Sequence, residues 1–256
     1  MPELNKANRQ VCDVDIRDLK TKTPFLFFNT ANTTTAGITG DSVYARAKGV
    51  NRIPFANPIQ GTMTIEAQVY PFKLFALFSD GTISTDAAQP VHTTIKATTA
   101  GEIPLDVTGG TIVSGTVFVF PKDSFGDEDA VIDGTYASNK FTATDASEIT
   151  VNTEYEVGFI ATRTSGVKRV SFNNEKIPRD YYITQSTLDK DEEGTLTPFL
   201  MTAYKAYIQR NFELSFSSDG DPATVTLNFD LLEDKDGNFL DLTEITEELG
   251  INASGD

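Results

Sequence analysis

The chain has 256 residues, with 18 phenylalanines, no tryptophan and a formal net charge of −16, from 37 acidic against 21 basic side chains. That length allows one large β domain or two smaller ones, and the apolar content is enough for a core. The acidity argues against general affinity for phosphate backbones, which depends on cationic neutralisation.

Residues 1–22 mix charge with scattered apolar positions at Val11, Val14, Ile16 and Leu19, which predicts an arm or a short strand. "PFLFF" (24–28) is a compact apolar strand. The long stretch 29–57 is rich in Thr, Asn, Gly and Pro, with room for its own short strands near Ser42–Ala47. Connections of that length in compact domains tend to be functional or disordered. It concentrates Arg46, Lys48 and Arg52 within an acidic protein, which suits docking on an acidic partner surface.

"GTMTIEAQVY" (61–70) alternates with period two. Met63, Ile65, Ala67 and Val69 face one way, and Thr62, Thr64, Glu66 and Gln68 the other. "PFKLFALFSDG" follows, with Phe72, Leu74, Phe75 and Phe78 at helical spacing, a proline at its start and Asp-Gly at its end. This predicts a short helix buried on most faces. Residues 84–165 are Thr- and Gly-rich, with short strands such as "GTVFVF", "KFTAT" and "EYEVGFIATR" between turns. They read as a β-rich insertion between the core segments 1–83 and 166–256.

The last third predicts four strands in sequence: "DYYIT" (180–184), "LTPFLMTAYKAYI" (196–208), "FELSF" (212–216) and the run through 225–231. In "FELSF", Glu213 and Ser215 oppose the phenylalanines, and "SSDGDP" would join it to the next strand as a hairpin. That next strand sets Val225, Leu227, Phe229 and Leu231 against Thr226, Asn228 and Asp230. Segment 232–256 is acidic, and "DLTEITEELG" within it reads as a short helix or an extended tail.

Chemistry is not visible. "EDKDG" lacks two ligands of a calcium loop, so it reads as a turn. Cys12 and His92, the only residues of their kinds, stand in unrelated contexts, and a histidine-rich zinc site cannot form. No phosphate loop or isolated carboxylate pair stands out, so the expectation is a non-enzyme without metal or cofactor. No run approaches the roughly 18 apolar residues of a membrane helix, and no signal-peptide core is seen, so no membrane partner is expected. A carbohydrate-binding or adhesion module is the alternative for 84–165, with Tyr136, Phe141 and Tyr155 as its aromatics.

Five stretches carry a family likeness: Gly61 through Phe78, "IPRDYYI", "DEEGTLTPF", "AYKAYIQRNFELSFSSDGDPATVTLNFDLL" and the acidic close. Together they resemble the tail tube (major tail) proteins of contractile or flexible-tailed bacteriophages. The resemblance implies a mainly β fold of two antiparallel sheets, sandwiched and barrel-forming, with one short α-helix. It also implies that six subunits close into a ring, and that rings stack into a hollow tube that conducts DNA. The implied partners are further copies of the chain and other tail proteins such as sheath, terminator or baseplate. The implied location is the virion, after synthesis in the host cytoplasm. Related tubes occur in contractile injection machines, and capsid decoration or baseplate proteins share the same broad features. On this reading Thr62, Thr64, Glu66, Gln68, Glu213, Ser215, Thr226, Asn228 and Asp230 face the lumen. None of them is cationic, as suits a bore through which a polyanion slides. Arg46, Lys48 and Arg52 would dock on acidic surface of a neighbour, where Asp234, Asp236, Asp241 and Glu244 are available.

Overall fold

The computed structural model describes residues 4–214, 218, 220 and 222–247. The chain divides into two compact units, one of residues up to Thr82 together with those from Ser171 on, the other Ile83–Val170. The first unit begins with β1 (Lys6–Ala7), β2 (Asp13–Asp18), β3 (Pro24–Phe28), β4 (Ala31–Thr39), β5 (Ser42–Ala47), β6 (Val50–Ala56) and β7 (Gln60–Ala67). A 3₁₀ helix, Phe72–Phe78, follows. The second unit holds β8 (Ala87–Lys96), β9 (Glu102–Pro104), β10 (Thr111–Ile112), β11 (Phe118–Pro121), β12 (Gly134–Ala137), β13 (Lys140–Ala143) and β14 (Glu154–Arg163). The first unit then resumes with β15 (Asp180–Asp191), β16 (Leu196–Ile208), β17 (Val225–Leu231) and β18 (Leu240–Glu244).

The first unit is built on one antiparallel sheet in the order β3-β2-β15-β16-β17-β7-β4, with β1 added to β15 and β18 to β16. Its two end strands, β3 and β4, are joined by Asn29 and Thr30 alone. Three peptide units reach at most about 11 Å, so opposite ends of the sheet are brought together. The sheet therefore wraps upon itself. Its two layers are two halves of one sheet, and they enclose a single core. Val14 and Ile16 of β2, Leu26 and Phe28 of β3, Met63 and Ile65 of β7, Ile183 of β15 and Leu227 and Phe229 of β17 share that core. Burying each large side chain contributes about 1.5–3 kcal/mol. Gly61 permits the closest approach within it, since a Cβ there would stand 2.9 Å from that of Leu231.

The 3₁₀ helix sets Leu74, Leu77 and Phe78 into the core. The amide of Leu74 donates to the carbonyl of Pro71 at 2.9 Å, the i to i+3 pattern of a 3₁₀ turn rather than the α-helix that the spacing predicts. Pro71 lies just before it in extended conformation, and Gly81 leaves it with a positive φ. Asp80, in that exit, accepts hydrogen bonds from Thr82 and pairs with Lys176 at 2.9 Å. The Thr82 side-chain hydrogen bond, then Lys176, hold the Asp80 carboxyl at about 2, below its ordinary 3.8. Its stabilisation is therefore present above about pH 4 and is lost as pH falls through about 2. Asp80→Asn is expected to cost about 1 kcal/mol or less at pH 7, because the pair is partly solvated. The difference should vanish near pH 2 in urea titrations, and a constant difference at both pH values would contradict the assignment.

Two expectations change, and one open alternative is decided. Phe212–Leu214 form no strand, and the rest of "FELSF" lies outside the described residues. Gln209 continues the ladder by one bond, from its amide to the carbonyl of Asn228 at 2.8 Å. The chain then leaves the sheet because the Phe212 ring packs on Phe78 at 4.5 Å and on Phe172 at 5.2 Å. β17 consequently pairs with the end of β16 and with β7. Stretch 29–57 is three strands almost throughout rather than a long loop with short strands near Ser42–Ala47. Of the two readings of "DLTEITEELG", short helix or extended tail, its start takes the extended one: β18 pairs with Phe199–Ala203, and Lys6 of β1 is ion-paired to Glu244.

The second unit has its own core, including Ile103, Val119, Phe141, Tyr155, Val157 and Phe159. β8 and β14 pair along ten residues, and β10 and β11 line the other edge of β14. Ser84 and Arg169 bridge the unit's two ends through a pair of 2.9 Å backbone hydrogen bonds.

Candidate functional site

Strand alternation sends every second residue of β7 and β17 away from the core, and their register decides which of these meet. Thr62, Thr64 and Glu66 stand opposite Asp230, Asn228 and Thr226. The hydroxyl of Thr64 donates to the Asn228 side-chain carbonyl at 3.1 Å. Just beyond the strand, the Gln68 amide donates to the Thr224 hydroxyl at 3.3 Å. Asp230 accepts from Gln209 Nε2 at 2.8 Å, so an amide and not a cation holds it. The face continues onto β4, where Thr33, Thr35 and Gly37 pair with Glu66, Thr64 and Thr62. Sequence reasoning missed these β4 residues, because their strand lies within what reads as a loop. Their signal is the alternation of Thr33, Thr35, Gly37 and Thr39 with Thr34, Ala36 and Ile38. Glu213 is exposed and stands outside any strand, but it lines a surface hollow with Thr224 and Thr226 at the end of this face, and Ser215 is outside the described residues.

β4, β7 and β17 contain no Lys, Arg or His at all, and Glu66 and Asp230 are their only charges. The same sheet is different at β2, β15 and β16. Arg17 there is fastened to Asp15 at 2.6 Å and Lys205 to Asp180 at 3.7 Å, and Lys22 sits 3.9 Å over the Tyr182 ring. An extra residue in β16 places Tyr204 beside Lys205 opposite Tyr182. Cations are thus segregated to one half of the wrapped sheet, where Arg17 and Lys205 are ion-paired and Lys190 is exposed near the end of β15.

β5 and β6 form a separate two-stranded ribbon, exposed along its whole length. Arg46 donates to the Asn51 side chain at 3.0 Å, and Lys48 and Gly49 turn the ribbon with positive φ. The expected carboxylate acceptors are mostly occupied within their own chain. Asp234 is held low by the backbone amides of Asn238 and Asp236. Asp241 accepts from the Tyr204 hydroxyl, a bond that pushes that phenol up to about 12. Glu244 pairs with Lys6, which leaves Asp236 loosely placed 3.9 Å from Lys235.

A family model described as the YomU/Tube protein family matches residues 9–245. The chain belongs to the YomU/Tube protein family. This is a phage tail tube family, and membership makes the chain a structural protein of the tail tube. No curated protein matches it. The bounds of the YomU/Tube match enclose the whole Ile83–Val170 unit. In that unit the aromatics expected to serve a carbohydrate module are misplaced for it. Phe141 and Tyr155 are buried in its core, and Tyr136 packs against it with its hydroxyl on the Leu105 carbonyl. Strand pairing decides this, because all three point inward. Among the described residues no group of three or more His, Cys, Asp or Glu is placed to hold a metal ion, and no helix is long and apolar enough to cross a membrane.

Proposed function

We propose that copies of this chain close into six-fold rings, that the rings stack into a tail tube, and that the β4–β7–β17 face lines the bore through which DNA leaves the virion. The observation that carries this reading is the charge segregation within one sheet: three adjacent strands without a cation, beside three that carry Arg17, Lys190 and Lys205. Each Lys or Arg able to reach a phosphate would add a salt-dependent holding term, and a hydroxyl- and amide-rich wall adds none. The β4 edge away from β7 has no strand partner among the described residues, and a neighbouring copy would complete it. The ribbon β5–β6 serves as an arm that docks on a neighbour. The tube ends meet other tail proteins, such as terminator and baseplate components, and a contractile tail would add a sheath.

Negative-stain microscopy of the purified protein across a concentration series tests this reading. Tubes or six-fold rings are expected at high concentration, and a protein that stays monomeric throughout would overturn it. Replacing Arg46, Lys48 and Arg52 together with Ser is expected to shorten or abolish the tubes while leaving the melting temperature within about 2 °C, since exposed substitutions usually change stability little. Tubes of normal length would remove the cations from the docking role.

A further inference from the structure

The arm needs an acceptor, and its own surface says what kind. Val43, Ile53 and Phe55 are 57%, 56% and 57% exposed, and Arg46, Lys48 and Arg52 stand among them on the same ribbon. The acceptor must therefore bury apolar side chains and supply carboxylates at its rim. In the acidic C-terminal segment Asp234, Asp241 and Glu244 are already engaged within their own chain.

The Ile83–Val170 unit carries an apolar groove, and the loop that contributes Phe125 to it is rich in carboxylates. Pro90, Val91, Phe118, Phe120, Phe125 and Ile160 line a groove of about 500 Å³ there. Phe125 arrives from the loop after β11 and lies flat on β14. Gly158 makes this possible, since a Cβ there would stand 2.7 Å from the Phe125 ring. The ring stacks on His92 at 3.8 Å and meets Phe120 edge-on at 5.1 Å. The Phe125 amide donates to Glu156 at 3.0 Å, so the loop is fastened with its aromatic ring in place. Phe118 and Phe125 nevertheless remain 53% and 45% exposed. Asp123, Asp127, Glu128 and Asp129, all exposed, surround Phe125 in sequence, and Glu156 stands 3.5 Å from His92. Lys122, the one cation in that loop, is paired with Glu154 at 2.6 Å.

The chemistry selects among occupants. A saccharide needs several donors and acceptors in its site, and this lining is mostly carbon. Nucleic acid and anionic lipid are repelled by the carboxylates. A polypeptide with apolar side chains between cations fits both the groove and its rim. We propose that the groove on Ile83–Val170 receives the β5–β6 ribbon of a neighbouring copy. This rests on the reading of that ribbon as a docking arm and names its acceptor.

Cross-linking between two full-length variants tests it. One carries Phe55→Cys and the other Phe118→Cys, both with Cys12→Ser, and they are mixed under assembly conditions and mildly oxidised. A disulfide-linked heterodimer is expected at ten-fold or more above the yield at non-assembling dilution. A parallel variant, Phe118→Ser with Phe125→Ser, should melt like the parent and form at least ten-fold fewer tubes. Normal tubes from that variant, or assembled protein without the cross-link, would overturn the groove as acceptor and leave the arm reading standing. If the parent forms no tubes, the tube reading fails, and the cross-link at the same concentration still decides the groove: its presence supports the docking and its absence overturns it.

Discussion

Tubes assembled from a Thr64→Lys, Asn228→Lys variant are expected to retain DNA that parent tubes release. The two residues are direct neighbours across β7 and β17, joined by a hydrogen bond, and their side chains point away from the core. In a six-fold ring the pair would add about twelve cations around the bore, each contributing roughly 0.9 to the slope of log affinity against log salt if it reaches a phosphate. Even a few simultaneous contacts would change affinity by orders of magnitude between about 50 and 200 mM salt. DNA retention by purified tubes, measured against salt, is the readout. Parent tubes should show little binding and little slope, and the variant a steep one. Ser186→Lys, on β15 in the half of the sheet that already carries cations, should leave retention near the parent level. Variant tubes that form normally and hold no more DNA than the parent would remove the β4–β7–β17 face from the bore.

Phe229→Ala is expected to destabilise the protein by about 3–5 kcal/mol, the usual range for deleting a buried aromatic ring. Phe229 is fully buried in the middle of β17, paired with Met63 on one side and Ile208 on the other. Because the sheet wraps on itself, the cavity would open in a core that both halves share, and neither half can collapse into it alone. Phe27→Ala, on β3 and 60% exposed, should fall within about 0.5 kcal/mol of the parent. Urea denaturation of dilute protein, followed by circular dichroism, separates the two. A Phe229 variant within 1 kcal/mol of the parent would mean that the wrapped core is drawn wrongly.

The inward and outward faces of β7 and β17 are legible in the sequence. Period-two alternation fixes which side chains of one strand share a face, and it holds residue by residue in β7 and β17, where the apolar set is buried and the polar set is not. It failed at "FELSF", where the same alternation covers only five residues. Packing of Phe212 against the 3₁₀ helix outweighed one short ladder. In β4 the alternation is hidden, because a run of threonines between Asn and Gly looks like a connection until its partner strand is known.

The amino-acid sequence by itself determined the β character, the inward and outward sets of each long strand, the acidity and the absence of cations from three strands. These are local properties, set by side-chain type and backbone pleat. Tertiary structure alone decided that Thr64 and Asn228, 164 residues apart, are neighbours, and that a two-residue link brings the ends of the sheet together. It also decided that Asp234, Asp241 and Glu244 are already engaged, and that Phe118 and Phe125, rather than Tyr155 and Phe141, face outward. The physical reason is that a pleat repeats every two residues whatever lies beside it. A strand's partner is chosen by the fit of whole faces contributed from distant parts of the chain.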